Sequence, residues 1–248
     1  MILTIAQRDF KQFLLSPMAW IVAGLIQFIC AWLFFKQIEQ FAELQAKLSL
    51  LKSSPGLTEW VVMPTYSVLG VIILLAIPFI TMRLISEERQ AKTLCLLISA
   101  PISPAQIILG KYFAVLSYFL LIIGLISLMT LSLLVAAQLD FGQIIACILG
   151  VFLLTSSFCA IGLAFSTFSK QPATAAFNTF ALLFFMWIMH LLGYYKTSQI
   201  IQWCSMIKHY EVFIHGGFSL NDVLYFIIIT FFFLTLAIQR LALEKYKT

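Results

Sequence analysis

Long apolar runs, separated by short clusters of charge, organise this sequence. Six runs contain no Asp, Glu, Lys or Arg, and they cover residues 12–35, 60–82, 112–139, 141–169, 171–195 and 223–239. A helix needs roughly 20 apolar residues to cross the hydrocarbon of a bilayer, with about 17 as the lower limit. The pattern therefore predicts an all-α, polytopic membrane protein with one transmembrane domain over residues 1–248. We place its six spans at approximately 17–37, 60–83, 104–137, 142–168, 172–194 and 222–242.

Composition agrees with this interpretation. Hydrophobic residues make up 62% of the chain and charged residues only 10%, more apolar surface than one water-soluble core of this length can bury. The first apolar run is too long for the hydrophobic region of a signal peptide, and no small-residue cleavage pattern follows it. We expect it to be retained as a transmembrane helix.

The basic residues predict the orientation in the membrane. With the amino terminus in the cytoplasm, ten of the 15 Lys and Arg residues fall on the cytoplasmic side. Cytoplasmic loops carry such an excess, so both termini are predicted to be cytoplasmic. The formal net charge of +5 is then explained by membrane topology, and we expect membrane lipid and no nucleic acid as a partner.

The amino-terminal segment has two faces at helical spacing. One is apolar (Leu3, Ala6, Phe10, Phe13, Leu14) and the other is polar (Thr4, Gln7, Arg8, Lys11, Gln12). This pattern predicts an amphipathic helix lying along the cytoplasmic surface of the membrane. The alternative is a simple basic flank that sets the orientation of the first span.

The most unusual segment is "MRLISEERQAKTLCLLISAP", residues 82–101, between the second and third spans. Ser86 is in a suitable position to cap a helix whose first turn holds Glu87 and Glu88. Pro101 disfavours helical geometry at the residue before it, so we expect this helix to end near Ser99. The alternatives are a helix resting on lipid headgroups and a docking element for a soluble partner.

A second helix start follows immediately. Ser103 precedes Pro104, and Gln106 lies three residues after Ser103. Serine followed by proline at the first helical position and glutamine at the third predicts a capping box at the start of span 3.

Three stretches resemble the ABC-2 type permeases, and within them the gliding-motility type, which is related to the permease of nitrous-oxide-reductase maturation. They are "IPFITMRLISEERQAKTLCLLISAPIS" (77–103), "ILGKY" (108–112) and "HYEVFIHGGFSLNDVLYF" (209–226). The order, spacing and six-span layout are similar along essentially the whole chain. Cys95 departs from the pattern, because the family usually has glutamate there.

The resemblance implies two permeases, identical or homologous, that dock two cytoplasmic ATPases in the bacterial inner membrane. By resemblance, the segment between spans 2 and 3 is the coupling helix, and the amino-terminal helix flanks the docking site. The chain has no G-x-x-x-x-G-K-[ST] phosphate loop, so we expect a non-enzymatic subunit whose partner binds ATP and Mg. The predicted coupling residues are Ser86, Glu87, Glu88, Arg89, Lys92, Thr93, Leu94 and Leu97, flanked by Arg8, Asp9 and Lys11.

The segment 196–222, between spans 5 and 6, is too apolar for a free loop. We predict short helices that re-enter the outer leaflet, and by resemblance they help to close the outer end of a path. We expect no metal site there, because a lone histidine at a membrane interface is usually a hydrogen-bonded boundary residue. The gate candidates are Trp203, His209, Tyr210, Glu211 and Phe213.

Three functions follow from these observations. The first is ATP-driven export of a substrate, and the second is mechanical transmission to a periplasmic or membrane accessory protein without any cargo. The third is an ATP-independent secondary transporter or channel. No Asp, Glu, Lys or Arg lies in the middle of a span, and this weighs against the third because ion coupling usually needs such a group.

Overall fold

Helices make up every regular element in the part of the chain that the structure, a computed structural model, describes: residues 1–48, 56–94, 102–135, 140–193 and 205–245. The helices are α1 (Ile2–Leu15), α2 (Pro17–Leu48), α3 (Met63–Thr81), α4 (Ser86–Gln90), α5 (Pro104–Leu131), α6 (Phe141–Phe168), α7 (Pro172–Gly193), α8 (Met206–Ile214) and α9 (Leu220–Lys245). A π-helical turn, Thr58–Val62, leads into α3, and a 3₁₀ turn, Ser132–Val135, follows α5.

Six helices of the described chain are long and apolar enough to cross a membrane, which confirms the predicted number of spans. They are Pro17–Leu44, Thr58–Gln90, Pro104–Leu134, Phe141–Phe168, Pro172–His190 and Leu220–Lys245. The capping box at the start of α5 is also confirmed. The Ser103 hydroxyl accepts from the Gln106 amide at 3.3 Å, and the Gln106 side chain accepts from the Ser103 amide at 3.2 Å.

The core lies between α3, α5 and α6. Half or more of the apolar part of each of these helices is buried, against about a fifth for α2, α7 and α9. Close packing of α3 against α6 depends on Gly162, because a Cβ atom there would collide with the Thr81 side chain. The outer three helices leave large apolar side chains exposed, as expected for surfaces that face lipid.

The amino-terminal helix is present, and its predicted polar face is exposed. Its buried residues are Ile5, Ala6 and Asp9, whereas Leu3 from the predicted apolar face is 75% exposed. The buried face packs on the first turns of α5, where a Cβ at Gly110 would lie 2.8 Å from Ile5. The helix therefore lies against the bundle through a face that includes one carboxylate.

Candidate functional site

Charged side chains gather at one end of the bundle, which we call the charged end. It contains α1, α4, the first turns of α5, and the last turns of α6 and α9. The connection between α3 and α5 consists of residues 82–103. Its residues 82–94, 102 and 103 lie at this end, and residues 95–101 lie outside the described chain. The predicted coupling residue Leu97 is among these.

The helix predicted to run from residue 86 to residue 99 is wrong in its extent. The helix α4 stops at Gln90, and Lys92 adopts a left-handed backbone conformation with φ of 58°. The Thr93 amide donates to the Glu88 carbonyl at 3.0 Å, which closes the turn. The sequence pattern favoured a continuous helix, but a non-glycine residue in the left-handed conformation ends an α-helix.

The predicted role of Ser86 as a helix cap is also wrong. Ile85 occupies the cap position, and Ser86 is fully buried with its hydroxyl donating to the Met82 carbonyl. The Ser166 hydroxyl on α6 accepts from the amides of Ile85 and Ser86, at 3.1 and 3.2 Å. The start of α4 is therefore fastened to α6 by a side chain that is distant in sequence.

Arg89 points into the protein. Its Nη2 lies 2.8 Å from both carboxylate oxygens of Glu244 on α9 and 2.7 Å from the carbonyl oxygen of Thr167 on α6. Its Nη1 donates to the carbonyl of Ser169. Such charge-assisted, multiply bonded guanidinium groups hold a defined geometry. Arg89 thus joins α4 to the ends of α6 and α9.

Lys111 on α5 is the centre of a second ionic cluster. Its side chain is 4% exposed, and its Nζ lies 2.8 Å from Oε1 of Glu88 and 3.3 Å from Oδ2 of Asp9. Arg8 adds an ion pair to Asp9 at 2.9 Å. One buried ammonium group therefore holds together α1, α4 and α5. Among the predicted site residues, Asp9, Glu88 and Arg89 are turned inward.

A groove of about 750 Å³ opens between α1 and the α3–α5 connection. It brings together predicted residues from both segments, which are adjacent in space although about 80 positions separate them in the chain. Glu87 and Thr93 line the groove and are exposed. Lys92 is exposed but does not line the groove, and Leu94 is buried. The lining consists of Arg8, Asp9, Gln12, Phe13, Ser16, Arg83, Leu84, Glu87, Glu88, Ala91, Thr93 and Lys111. Lys11, the third predicted flanking residue, is exposed on α1.

The sequence analysis did not identify Lys111, Ser166 or Glu244 as site residues. Lys111 belongs to the quoted "ILGKY" stretch and Glu244 follows the last predicted span, and both carry charge next to apolar helices. A charged residue beside a long apolar run is a signal in the sequence that could have identified these two residues. Nothing in the local pattern distinguishes Ser166 from the other serines within spans.

The opposite end of the bundle is covered by α8. Tyr210 and Phe213 are buried, and the Tyr210 hydroxyl donates to the Tyr66 carbonyl at 2.7 Å. His209 Nδ1 pairs with Oδ1 of Asp222 at the start of α9, and its ring stacks on Tyr225. The gate candidate Glu211 lies 3.3 Å from Nε2 of His190, and Trp203 lies outside the described residues.

Two glycines let α8 approach the core. A Cβ at Gly70 would lie 2.8 Å from the Tyr210 ring, and one at Gly150 would lie 2.5 Å from Cβ of Phe213. The Gln143 side chain donates to the Ile214 carbonyl at 3.3 Å and fixes the end of α8. Sequence reasoning singled out Tyr210 and Phe213 but not these glycines on α3 and α6.

Comparison with known proteins places this geometry in a family. The model of the ABC-2 family transporter proteins matches residues 3–243, which include both the groove and α8. A search among curated proteins gave no match. Members of the family are membrane components of ABC transporters and generally work with ABC ATPase partners. With residues 3–243 matched, and with six helices in its described part long and apolar enough to cross a membrane, the chain belongs to the ABC-2 family of transporter proteins.

Proposed function

We propose that this chain is the permease subunit of an ATP-driven exporter and that a separate ABC ATPase docks in the groove at the charged end. Two ATPase subunits would act on a pair of permeases, identical or homologous. ATP and Mg bind to the ATPase and not to this chain. The groove is the single observation that carries the proposal, because it exposes part of α1 and of the α3–α5 connection side by side.

The electrostatics of the groove support a protein partner. Arg83 and Glu87 are exposed, and the Arg8 side chain is 57% exposed, so both signs of charge are available at the rim. Glu88 and Asp9 are already engaged by Lys111. A mixed set of exposed charges steers and orients a complementary protein surface, whereas an anionic lipid surface attracts mainly basic groups.

The proposed mechanism needs a difference in binding between two states. ATP favours the closed pair of ATPases, and a ligand shifts an equilibrium only by binding the two states differently. Closure moves the docked surfaces against the α3–α5 connection. That movement would reach α3 through the turn 82–85, which joins α4 directly to the end of α3.

Export is favoured over an ATP-independent transporter by the position of the charges. The buried Lys and Asp side chains of the described spans, Lys111 and Asp222, lie near helix ends and are paired. A proton or cation pathway usually places such a group within the membrane. Membership in the ABC-2 family favours an ATP-driven function as well. Mechanical transmission to an accessory protein is the second candidate, and α8 supports it because this helix packs on α3, α6, α7 and α9 and would move with them.

The finer assignments belong to the same proposal. We place the chain in the gliding-motility type of ABC-2 permease, in the bacterial inner membrane, with both termini in the cytoplasm. The three quoted sequence stretches support the first assignment and the distribution of Lys and Arg supports the orientation. In this orientation α8 faces the periplasm and the groove faces the cytoplasm.

A charge reversal at Glu87 tests the docking site. The residue is exposed and lines the groove, so Glu87→Lys changes the rim without breaking a described ion pair. The chain is co-expressed with a candidate P-loop ATPase from the same genome and then isolated by affinity purification. We expect the recovered ATPase to fall roughly tenfold or more, the effect of placing like charges across an interface.

Glu39→Lys is the matched control, because Glu39 is also exposed but lies on α2 far from the groove. It should leave recovery of the ATPase unchanged. Unchanged recovery with Glu87→Lys would contradict the assigned docking site. Failure of the wild-type chain to retain the ATPase would contradict the proposed function itself.

A further inference from the structure

The last turn of α9 holds the α3–α5 connection at two points. The Glu244 carboxylate accepts hydrogen bonds from Arg89, with Nη2 at 2.8 Å from both carboxylate oxygens. The next residue, Lys245, donates through Nζ to the carbonyl oxygen of Ile102 at 3.1 Å. Arg89 precedes the middle of the connection and Ile102 follows it. Two consecutive residues of α9 therefore contact this segment at one position before its middle and one position after it.

The pair of Arg89 and Glu244 is not a loose surface contact. The Arg89 side chain is 18% exposed and that of Glu244 is 25% exposed. Arg89 also donates to the carbonyl groups of Thr167 and Ser169, so the same guanidinium reaches α6 and α9 together. Exposed ion pairs contribute little, but a half-buried guanidinium with several fixed acceptors constrains geometry.

The end of α9 is itself anchored in the bundle. Leu241 is 1% exposed and Ala237 is fully buried, and α9 packs along α6. The Arg240 guanidinium lies over the Phe168 ring, 5.8 Å from its centroid, at the end of α6. A displacement of Arg89 therefore acts on α6 and α9, which are both packed in the bundle.

We propose that Glu244 and Lys245 form a clamp that transmits movement of the α3–α5 connection to α6 and α9. The covalent chain connects this segment to α3 and α5 alone, and side-chain contacts already join it to Lys111 on α5 and Ser166 on α6. The clamp adds a non-covalent route that includes α9. Glu244 and Lys245 are positioning residues that act through Arg89 and Ile102. The inference rests on the proposed function, since the docked ATPase supplies the movement.

The test separates docking from transmission. The wild-type chain, Glu244→Gln, Arg89→Gln and the double variant are each reconstituted in lipid vesicles together with the candidate P-loop ATPase of the docking experiment. We expect every variant to retain the ATPase. We expect the stimulation of ATP hydrolysis by the permease to fall roughly fivefold or more in each single variant, a size typical of coupling between linked sites.

Three comparisons distinguish transmission from a loss of folding. The double variant should fall no further than the worse single variant, because the two side chains act as one unit. Glu244→Asp keeps the charge and should recover most of the stimulation, and Glu39→Gln, an exposed carboxylate on α2, should have no effect. Full stimulation in Glu244→Gln, or additive losses in the double variant, would overturn the clamp.

A second measurement needs no ATPase. Spin labels are attached at Gln90 and Leu243, both exposed, after the native cysteines are replaced. In the isolated permease we expect a narrow distance distribution that broadens in Glu244→Gln, and an unchanged distribution would count against the clamp. If the wild-type chain retained no ATPase, the proposed function would fail while this measurement still decided the clamp.

Discussion

Nζ of Lys111 lies 2.8 Å from Oε1 of Glu88, so the first part of α5 is bound directly to the short helix α4. The same Nζ lies 3.3 Å from Oδ2 of Asp9 on α1. Removing charges from water is costly, and the cost is offset only when the partners are well placed. Lys111 therefore makes the geometry of the groove depend on one side chain that does not project into solvent.

Replacement of this lysine should destabilise the protein. In Lys111→Met, Glu88 and Asp9 lose their shared counter-ion, although Asp9 keeps Arg8. Loss of one partner of a fully buried pair costs about 3–5 kcal/mol, and we expect a loss of up to this size. The free energy of unfolding in mixed micelles measures this cost.

Lys11→Met is the control, since Lys11 is exposed on α1, and its unfolding free energy should stay within about 0.5 kcal/mol of wild type. Lys111→Arg keeps the charge and should recover part of the loss. Equal stability of Lys111→Met and Lys11→Met would show that the cluster does not hold the groove together.

The elements that depend on local sequence were predicted from it. Six apolar runs became six long helices, and the capping box of Ser103 and Gln106 formed as expected. Each of these features is determined within one helix or one turn. Periodicity and capping chemistry act over a few residues, so they can be identified without tertiary structure.

The contacts at the charged end were not predictable in this way. Arg89 and Glu244 are 155 positions apart, and a pattern in the sequence does not say which cation meets which carboxylate. Ser86 has the local features of a cap, but Ser166 takes the amides of Ile85 and Ser86. Tertiary hydrogen bonds outweighed the local preference in this segment.

Ser166 provides the next prediction. Its hydroxyl oxygen accepts from the buried amides of Ile85 and Ser86, and it donates to the Met82 carbonyl at 3.2 Å. Ser166→Ala removes the acceptor. The unfolding free energy should fall by about 1–3 kcal/mol for each buried amide that loses its hydrogen bond. The measurement is the unfolding free energy of the purified chain in mixed micelles.

Ser117→Ala is a matched change, because the exposed Ser117 hydroxyl donates only within its own helix, to the Phe113 carbonyl at 2.7 Å. It should be nearly neutral. If both serine variants lost the same free energy, the contact between α6 and the start of α4 would not be a stabilising one.

Gly162 is expected to tolerate no side chain. An added Cβ would overlap the Thr81 side chain, which is itself fully buried at the end of α3. Gly162→Ala forces α3 and α6 apart, and overpacking of this kind typically costs about 1–3 kcal/mol. The thermal unfolding midpoint should fall accordingly.

Gly124 on α5 offers the comparison, since no atom lies within 4 Å of a Cβ built there. Gly124→Ala should leave the midpoint unchanged or raise it, because alanine favours a helix more than glycine does. A fall as large as that of Gly162→Ala would contradict the packing explanation.

The pair of His209 and Asp222 connects α8 to the first turn of α9. Both side chains are largely buried, at 10% and 11% exposed, and Asp222 also lies where the positive end of the helix dipole favours a carboxylate. We expect Asp222→Ala and His209→Ala each to lower the unfolding free energy by about 1–3 kcal/mol, because each removes the buried hydrogen bond between the two side chains.

The double variant decides whether the two residues act together. If the pair is the main source of both losses, the double variant should cost clearly less than the two single changes added, with an interaction energy of about 0.5–3 kcal/mol. Additive losses would mean that each residue is held by other contacts and that the pair does not fix α8. The cycle is measured on the purified chain without ATPase, so its result is independent of docking at the charged end. A coupled pair would establish α8 as an element fastened to α9, the helix whose other end contacts Arg89.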